Sequence, residues 1–179
     1  MTTAKTPDSE ELRIREATDA DWDRIAELTV AAYVDGGFLT ANDDYISHLT
    51  DVETRATSST VLVAEVQQAR DGDWKIAASV AVTDAGGPMA EVSRPGEMEF
   101  RMLAVAPEHQ GRGIARRMVR HIIEAAQSRA EITALTLCSL VSMTNAHALY
   151  RSEGFRENPE RDFFLESKDA RFPFFIREV

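Results

Sequence analysis

The sequence predicts a single mixed α/β domain, a largely antiparallel sheet flanked by helices in the order β-α-α-β-β-β-α-β-α-β-β. Three observations predict it. Short apolar segments alternating with period two are interleaved with stripes at helical spacing. An Asp-Gly turn sits between two strand-like segments. A third strand runs through a glycine loop into a basic helix, in "MLAVAPEHQGRGIARRMV" at residues 102–119.

Taken in order, "MTTAKTPDSE" at 1–10 is polar and aperiodic and predicts a disordered tail, leaving 11–179 as the domain. "LRIREA" (12–17) alternates as a strand. Thr18 with Asp21 is a capping signal, and Trp22, Ile25, Leu28 and Ala32 mark the first helix until "DGG" (35–37) breaks it. Tyr45, Leu49, Val52 and Ala56 predict a second helix. "TVLVAEV" (60–66) and "WKIAASVAV" (74–82) form a hairpin about "RDGD" (70–73). The glycines and prolines of 84–96 predict a loop, and "EMEFRMLAV" (97–105) a strand that Pro107 stops.

From Gly113 to about Ala130, the stripe Ile114, Met118, Ile122 and Ala126 predicts a helix. "ALTLCSLV" (134–141) is a strand, and "NAHALYRSE" (145–153) a short helix that Gly154 ends. "RDFFLE" and "FPFFIREV" close the sheet as two more strands.

Composition bounds the function. A chain of 179 residues with 44% hydrophobic content fills one domain. A net charge of −10 argues against nucleic-acid binding. His48, His109, His121, His147 and Cys138 lack metal-ligand spacing, so no metal is expected. The single cysteine suits a reducing, cytoplasmic setting, and its apolar neighbours predict a buried core thiol. No signal peptide or membrane span is expected.

The chemistry begins in the glycine loop. A helix N-terminus offers unpaired N–H groups and the positive end of the helix dipole. Gly111 and Gly113 let the preceding backbone approach an anion, and Arg112, Arg116, Arg117 and Arg120 add positive charge. The natural ligand is a phosphate or pyrophosphate. The P-loop pattern is absent, and Arg116 stands where the dinucleotide fingerprint needs its third glycine.

The segment Q-G-R-G-I-A, with Gln110, Gly113 and Ala115 at its key positions, resembles the cofactor signature of the GCN5-related N-acetyltransferase (GNAT) family. The strand before it, the helix after it and the element order from residue 12 onward extend the resemblance. The resemblance implies acetyl-CoA as co-substrate. Backbone amides of Gln110, Gly111, Arg112, Gly113, Ile114 and Ala115 would hold the CoA pyrophosphate. The Leu103 and Val105 backbones would pair with the pantetheine arm. Arg112, with Arg116 or Arg117, would lie near the ADP phosphates.

Acetyl transfer to an amine needs a base for the amine and an acid for the leaving thiolate. In "NAHALYRSEGF", Tyr150 matches the family's tyrosine near the CoA sulfur, and Asn145 matches a position that contacts the CoA arm, with a helix cap as its alternative. Period two puts Glu97, Glu99, Arg101, Leu103 and Val105 on one strand face. Glu99 matches the base of several relatives; an acceptor-binding or structural carboxylate is the alternative, and Glu97 is a weaker candidate. His109 is expected on the loop surface, and His147 has no evident partner.

The implied function is acetyl-CoA-dependent N-acetylation of a primary amine, by direct attack in a ternary complex. The alternatives are another acyl-CoA donor or a non-catalytic CoA sensor. The acceptor, a small molecule or a protein amine, would enter between "YVDGGFLT" (33–40) and residues 161–175. Phe38, Phe163, Phe164, Phe174 and Phe175 are candidates to line its pocket, with the core as the alternative place for most of them, and Asp35 would suit a cation. The resemblance also implies a possible homodimer, and no nucleic-acid or membrane partner is expected.

Overall fold

A computed structural model describes residues 11–67 and 72–179. The expected tail and residues 70 and 71 of the hairpin turn lie outside the described residues. Strand β1 (Glu11–Glu16) leads through a 3-10 turn to helix α1 (Trp22–Asp35). Helices α2 (Ile46–Thr50) and α3 (Val52–Ser58) precede strands β2 (Thr60–Gln67), β3 (Lys75–Asp84) and β4 (Glu97–Val105). Then come α4 (Ile114–Gln127), β5 (Ala134–Cys138), α5 (Thr144–Ser152) and β6 (Arg156–Glu157). Strands β7 (Phe163–Leu165), β8 (Ala170–Phe172) and β9 (Phe174–Glu178) end the chain.

Seven strands form one sheet in the order β1-β2-β3-β4-β5-β9-β6. Every neighbouring pair is antiparallel except β4 with β5. The mixed α/β class is therefore as the sequence predicts. Helix α4 lays Ile114, Met118, Ile122 and Ala126 on one sheet face, against Val80, Phe100 and Leu135. Helix α1 lays Ile25, Leu28 and Ala32 on the other, against Val61 and Val63. Each stripe is the one read from helical spacing, because only that face of the helix can be dehydrated against a flat sheet.

Several elements differ from expectation. The second helix divides at Asp51, whose backbone leaves the helix while its side chain caps α3 by accepting from Thr54 N at 3.1 Å. Local capping there outcompetes the continuous apolar stripe. Strand β5 stops at Cys138 rather than at 141. The segment 161–166 supplies only β7, which pairs with β8 in a separate hairpin. Pro173 separates β8 from β9, so the closing segment is two strands. The two-residue β6 was not anticipated, being too short for a periodic signal.

The most consequential difference lies in β4. Met102 has φ +55°, a left-handed backbone uncommon outside glycine, opposite a register shift between Ser79 and Ala81. The extra residue inverts the side-chain alternation. Leu103 and Val105 join Met98 and Phe100 in the cluster under α4, while Ala104 joins the cluster under α1. Period two from Glu99 through Val105 does not hold, and the cause is this bulge.

Strand β1 is tied down electrostatically. Arg15 reaches Asp21 at 2.7 Å and Glu65 at 2.7 Å. Hydrogen bonding from Arg15, opposed by burial and reinforced by Thr18, holds the Asp21 carboxyl at about 2. A carboxyl depressed by folding contributes stability above its unfolded value, and the contribution disappears as pH falls through the folded value. Stability measured by denaturant unfolding should thus decline between about pH 4 and pH 2, with a smaller decline in Asp21→Asn; an unchanged slope would contradict the assignment. Phe175→Ala should cost about 3–5 kcal/mol by the same method, because Phe175 is fully buried against Tyr150.

Candidate active site

Strands β4 and β5 run side by side for three residue pairs, from Glu97 with Ala134 to Glu99 with Thr136. Beyond these the strands part: β4 continues with β3, and β5 continues with β9 out to Cys138 and Phe174. A cavity of about 560 Å³ occupies the opening. Leu103, Leu137, Cys138 and Tyr150 line it, with Tyr33 of α1 and Tyr45, just before α2. The β7–β8 hairpin adds Phe163, Leu165 and Phe172 to its wall. Lys168 of that hairpin meets Asp43 at 2.8 Å, joining it to the loop before α2.

The glycine loop lies at the end of β4. Gly111 and Gly113 have φ +77° and +75°, the conformation that glycine adopts without steric cost. A Cβ at either position would meet no atom within 4 Å, so the space in front of the loop is open. Gly113 caps α4, whose first turn carries no acidic residue and no side-chain cap. The first helical donor is Arg117 N, bonding Gly113 O at 3.1 Å. The preceding amides are the orphan donors of a helix N-terminus. Exposed, positive and free of side-chain caps, this loop fits a diphosphate.

The arginines divide. Arg112 lies on the exposed loop, in a depression shared with Arg24 and His109. Arg116 pairs with Glu153 and donates to Ser152 Oγ at 2.8 Å, and Arg120 meets the same Glu153 at 2.9 Å. These two fasten α4 to the end of α5. Arg117 donates to Leu12 O at 3.5 Å. Gln110 Nε2 donates to Val105 O at 3.1 Å, so the loop folds back on the end of β4.

Tyr150 is buried among Phe100, Phe155 and Phe175, with ring centroids 5.9, 6.0 and 5.6 Å away. Burial pushes its phenol well above the ordinary value. Glu99 is 1% exposed, and its Oε2 accepts from the amides of Glu91, Val92 and Ser93 at 2.9, 3.1 and 3.1 Å and from Ser93 Oγ at 2.9 Å. Oε1 takes none of these four bonds. Both residues line the one cavity.

Glu97 does not line it. Its two oxygens are taken by Arg161 at 2.7 and 2.8 Å, with Arg94 N at 2.8 Å. Asn145 is exposed on the first turn of α5, where Met143 is the cap position, so the capping alternative falls.

Cys138 is half-buried on the cavity wall rather than in the core, and burial pushes its thiol up to about 12. His109, expected at the surface, is 5% exposed because the turn at 107–109 folds it inward. His147 packs on Phe175 at 5.0 Å, and burial lowers its pKa. Among the phenylalanines proposed for the acceptor side, Phe38 and Phe163 line the cavity. Phe174 and Phe175 are core, and Phe164 is 63% exposed. Asp35 is exposed and outside the cavity.

Sequence reading included Tyr33 and Phe172 only within the segments expected to flank the acceptor, and missed Tyr45 as a lining residue and the amides at 91–93 that hold Glu99. Tyr45 stood in a helical stripe, and nothing local marks a loop amide as a partner for a distant carboxylate. Among the described residues, no group of three His, Cys, Asp or Glu could hold a metal ion, and no helix is long and apolar enough to cross a membrane.

All three tyrosines are shifted upward by burial. Ultraviolet titration should therefore show less than half of the native protein's tyrosine as phenolate at about pH 10, the ordinary midpoint. Half-ionisation of the native tyrosines at that pH would contradict their burial.

The sequence profile of the acetyltransferase (GNAT) domain matches residues 57–157, more than half of the chain. No curated protein matches the sequence. Among solved structures, a GNAT-family acetyltransferase from Staphylococcus aureus Mu50 aligns with TM-score 0.68 at 15% identity, over 94% of this chain and 99% of that one. A GCN5-related N-acetyltransferase from Kribbella flavida aligns with TM-score 0.64 at 25% identity, over 94% and 98%. Spermidine N-acetyltransferase from Vibrio cholerae, solved with CoA and spermine, aligns with TM-score 0.64 at 20% identity, over 93% and 95%. With a strand parting from its neighbour, a glycine loop opening a helix and a profile match across both, the chain belongs to the GNAT family of N-acetyltransferases.

Proposed function

We propose that the protein transfers an acetyl group from acetyl-CoA to a primary amine, by direct attack within a ternary complex. The observation that carries this reading is the continuity of three features: the open glycine loop, the unpaired side of β4 beyond Glu99, and the cavity containing Tyr150. They lie in the order that a diphosphate, an extended arm and a thioester would need.

Acetyl-CoA supplies the acetyl group as a thioester. Backbone amides from Gln110 to Ala115, with the dipole of α4 behind them, would hold the diphosphate. Arg112 adds positive charge there. The Leu103 and Val105 backbones would take the pantetheine arm as an added strand, with Asn145 at the start of α5 as a further contact to the arm. Gln110 would release Val105 O when the arm binds.

The amine must lose its proton to attack, and the thiolate must gain one to leave. Tyr150 is the general acid. Burial keeps its phenol protonated at neutral pH, so it can donate to the departing sulfur. Glu99 is the base. The amides of 91–93 hold Oε2 in place, leaving Oε1 to receive the amine proton inside the cavity. The spermidine enzyme and the other neighbours support an amine as acceptor. The reading also carries the expectations of a cytoplasmic protein able to form a homodimer.

Tyr150→Phe should lower kcat by about 10²- to 10⁴-fold while leaving the CoA dissociation constant unchanged, measured by thiol release and calorimetry. An unaltered kcat would remove Tyr150 from the chemistry. Gly113→Asp places a carboxylate and an unfavourable backbone beside the diphosphate, and should weaken CoA binding at least about tenfold, roughly 1.4 kcal/mol. Undiminished affinity in a folded variant would refute the loop assignment.

A further inference from the structure

We infer that the acceptor is a monoamine with an apolar body of about aromatic size and no second positive charge. This deepens the transferase reading and rests on it. The argument comes from the charges that face the cavity. Its lining contains three carboxylates: Asp43, Glu91 and Glu99. Each is already engaged. Asp43 meets Lys168 at 2.8 Å, and Glu91 meets Arg101 at 2.5 Å. Glu99 is held by three amides and a hydroxyl.

A polyamine needs a carboxylate for each ammonium that it buries, since an unpaired charge is costly to dehydrate. This cavity offers none to spare.

The aromatic lining of the cavity points the same way. Tyr33, Phe38, Tyr45, Phe163 and Phe172 supply rings from three separate parts of the chain. Phe163 and Phe172 face one another across the β7–β8 hairpin, with centroids 5.8 Å apart. Such a wall gains from dehydrating an apolar body and from ring-to-ring contact. It also serves the chemistry, because low polarity disfavours the ammonium form and leaves the amine neutral for attack. The β7–β8 hairpin and its Lys168–Asp43 contact suit a small molecule more than a protein chain.

The test compares 2-phenylethylamine with spermidine and a lysine-containing peptide at saturating acetyl-CoA, reading thiol release, with CoA binding measured on the same preparation. The inference expects kcat/KM for phenylethylamine about 100-fold above either competitor. Phe172→Ala, at the cavity edge, should raise the KM for phenylethylamine about tenfold, with CoA affinity unchanged. Phe163→Leu, which keeps apolar volume, should raise it less. Preference for spermidine or the peptide, or turnover of none of the three, overturns the inference. If CoA still binds in that case, the cofactor site stands and only the acceptor assignment falls. Absence of CoA binding removes the transferase reading itself.

Discussion

Everything functional in this molecule depends on the place where β4 stops pairing with β5. A continuous sheet would be satisfied along its whole length and would leave no room for a ligand. Here the parallel ladder ends at Glu99 and Thr136, and each strand continues with a different neighbour. Backbone hydrogen-bonding capacity on the β5-facing side of β4 is thereby left for something else to satisfy. The left-handed backbone at Met102 helps to turn the strand, a local conformation that costs on the order of 1–3 kcal/mol and is held by the packing of Phe100, Leu103 and Ala104 on either side. Strain of this kind at a ligand cleft is a common way for a fold to aim its side chains.

The same bulge sorts chemistry by face. Ahead of it, Glu99 and Arg101 point toward the loop at 89–93, where amides and the Met89 carbonyl receive them. After it, Leu103 turns toward the apolar side, where Tyr150 is kept protonated by its phenylalanine neighbours. A polar wall and an apolar wall thus meet across one opening. The protein is strongly acidic overall, yet the carboxylates that reach the cavity are each matched by a cation or by oriented amides. Excess negative charge stays on the surface, where water solvates it, and the interior of the site remains close to neutral.

Much of the architecture was legible in the sequence because it is encoded locally. The stripe from Ile114 to Ala126 can bury only one helix face, and Gly111 and Gly113 sit where the backbone needs positive φ. Tyr150 stood out only through the resemblance of the segment 145–155 to the family's cofactor site. What stayed hidden was long-range or parity-breaking. A bulge at a methionine has no sequence signature, so the face of Leu103 and Val105 was assigned wrongly. Arg116 and Arg120 look like phosphate ligands in a basic helix, but Glu153, more than thirty residues later, claims both. His109 looks like a loop residue until the 3-10 turn rotates it inward. The aromatic wall comes from residues far apart in sequence, which no local window unites.

Hydrogen–deuterium exchange with and without CoA tests the central claim most directly. If the amides at 110–115 and the free side of β4 at 101–105 hold the cofactor, both segments gain protection together when CoA is added, while α1 and β1 are unaffected. Exchange at those two segments that is identical in the presence and absence of saturating CoA would contradict the account.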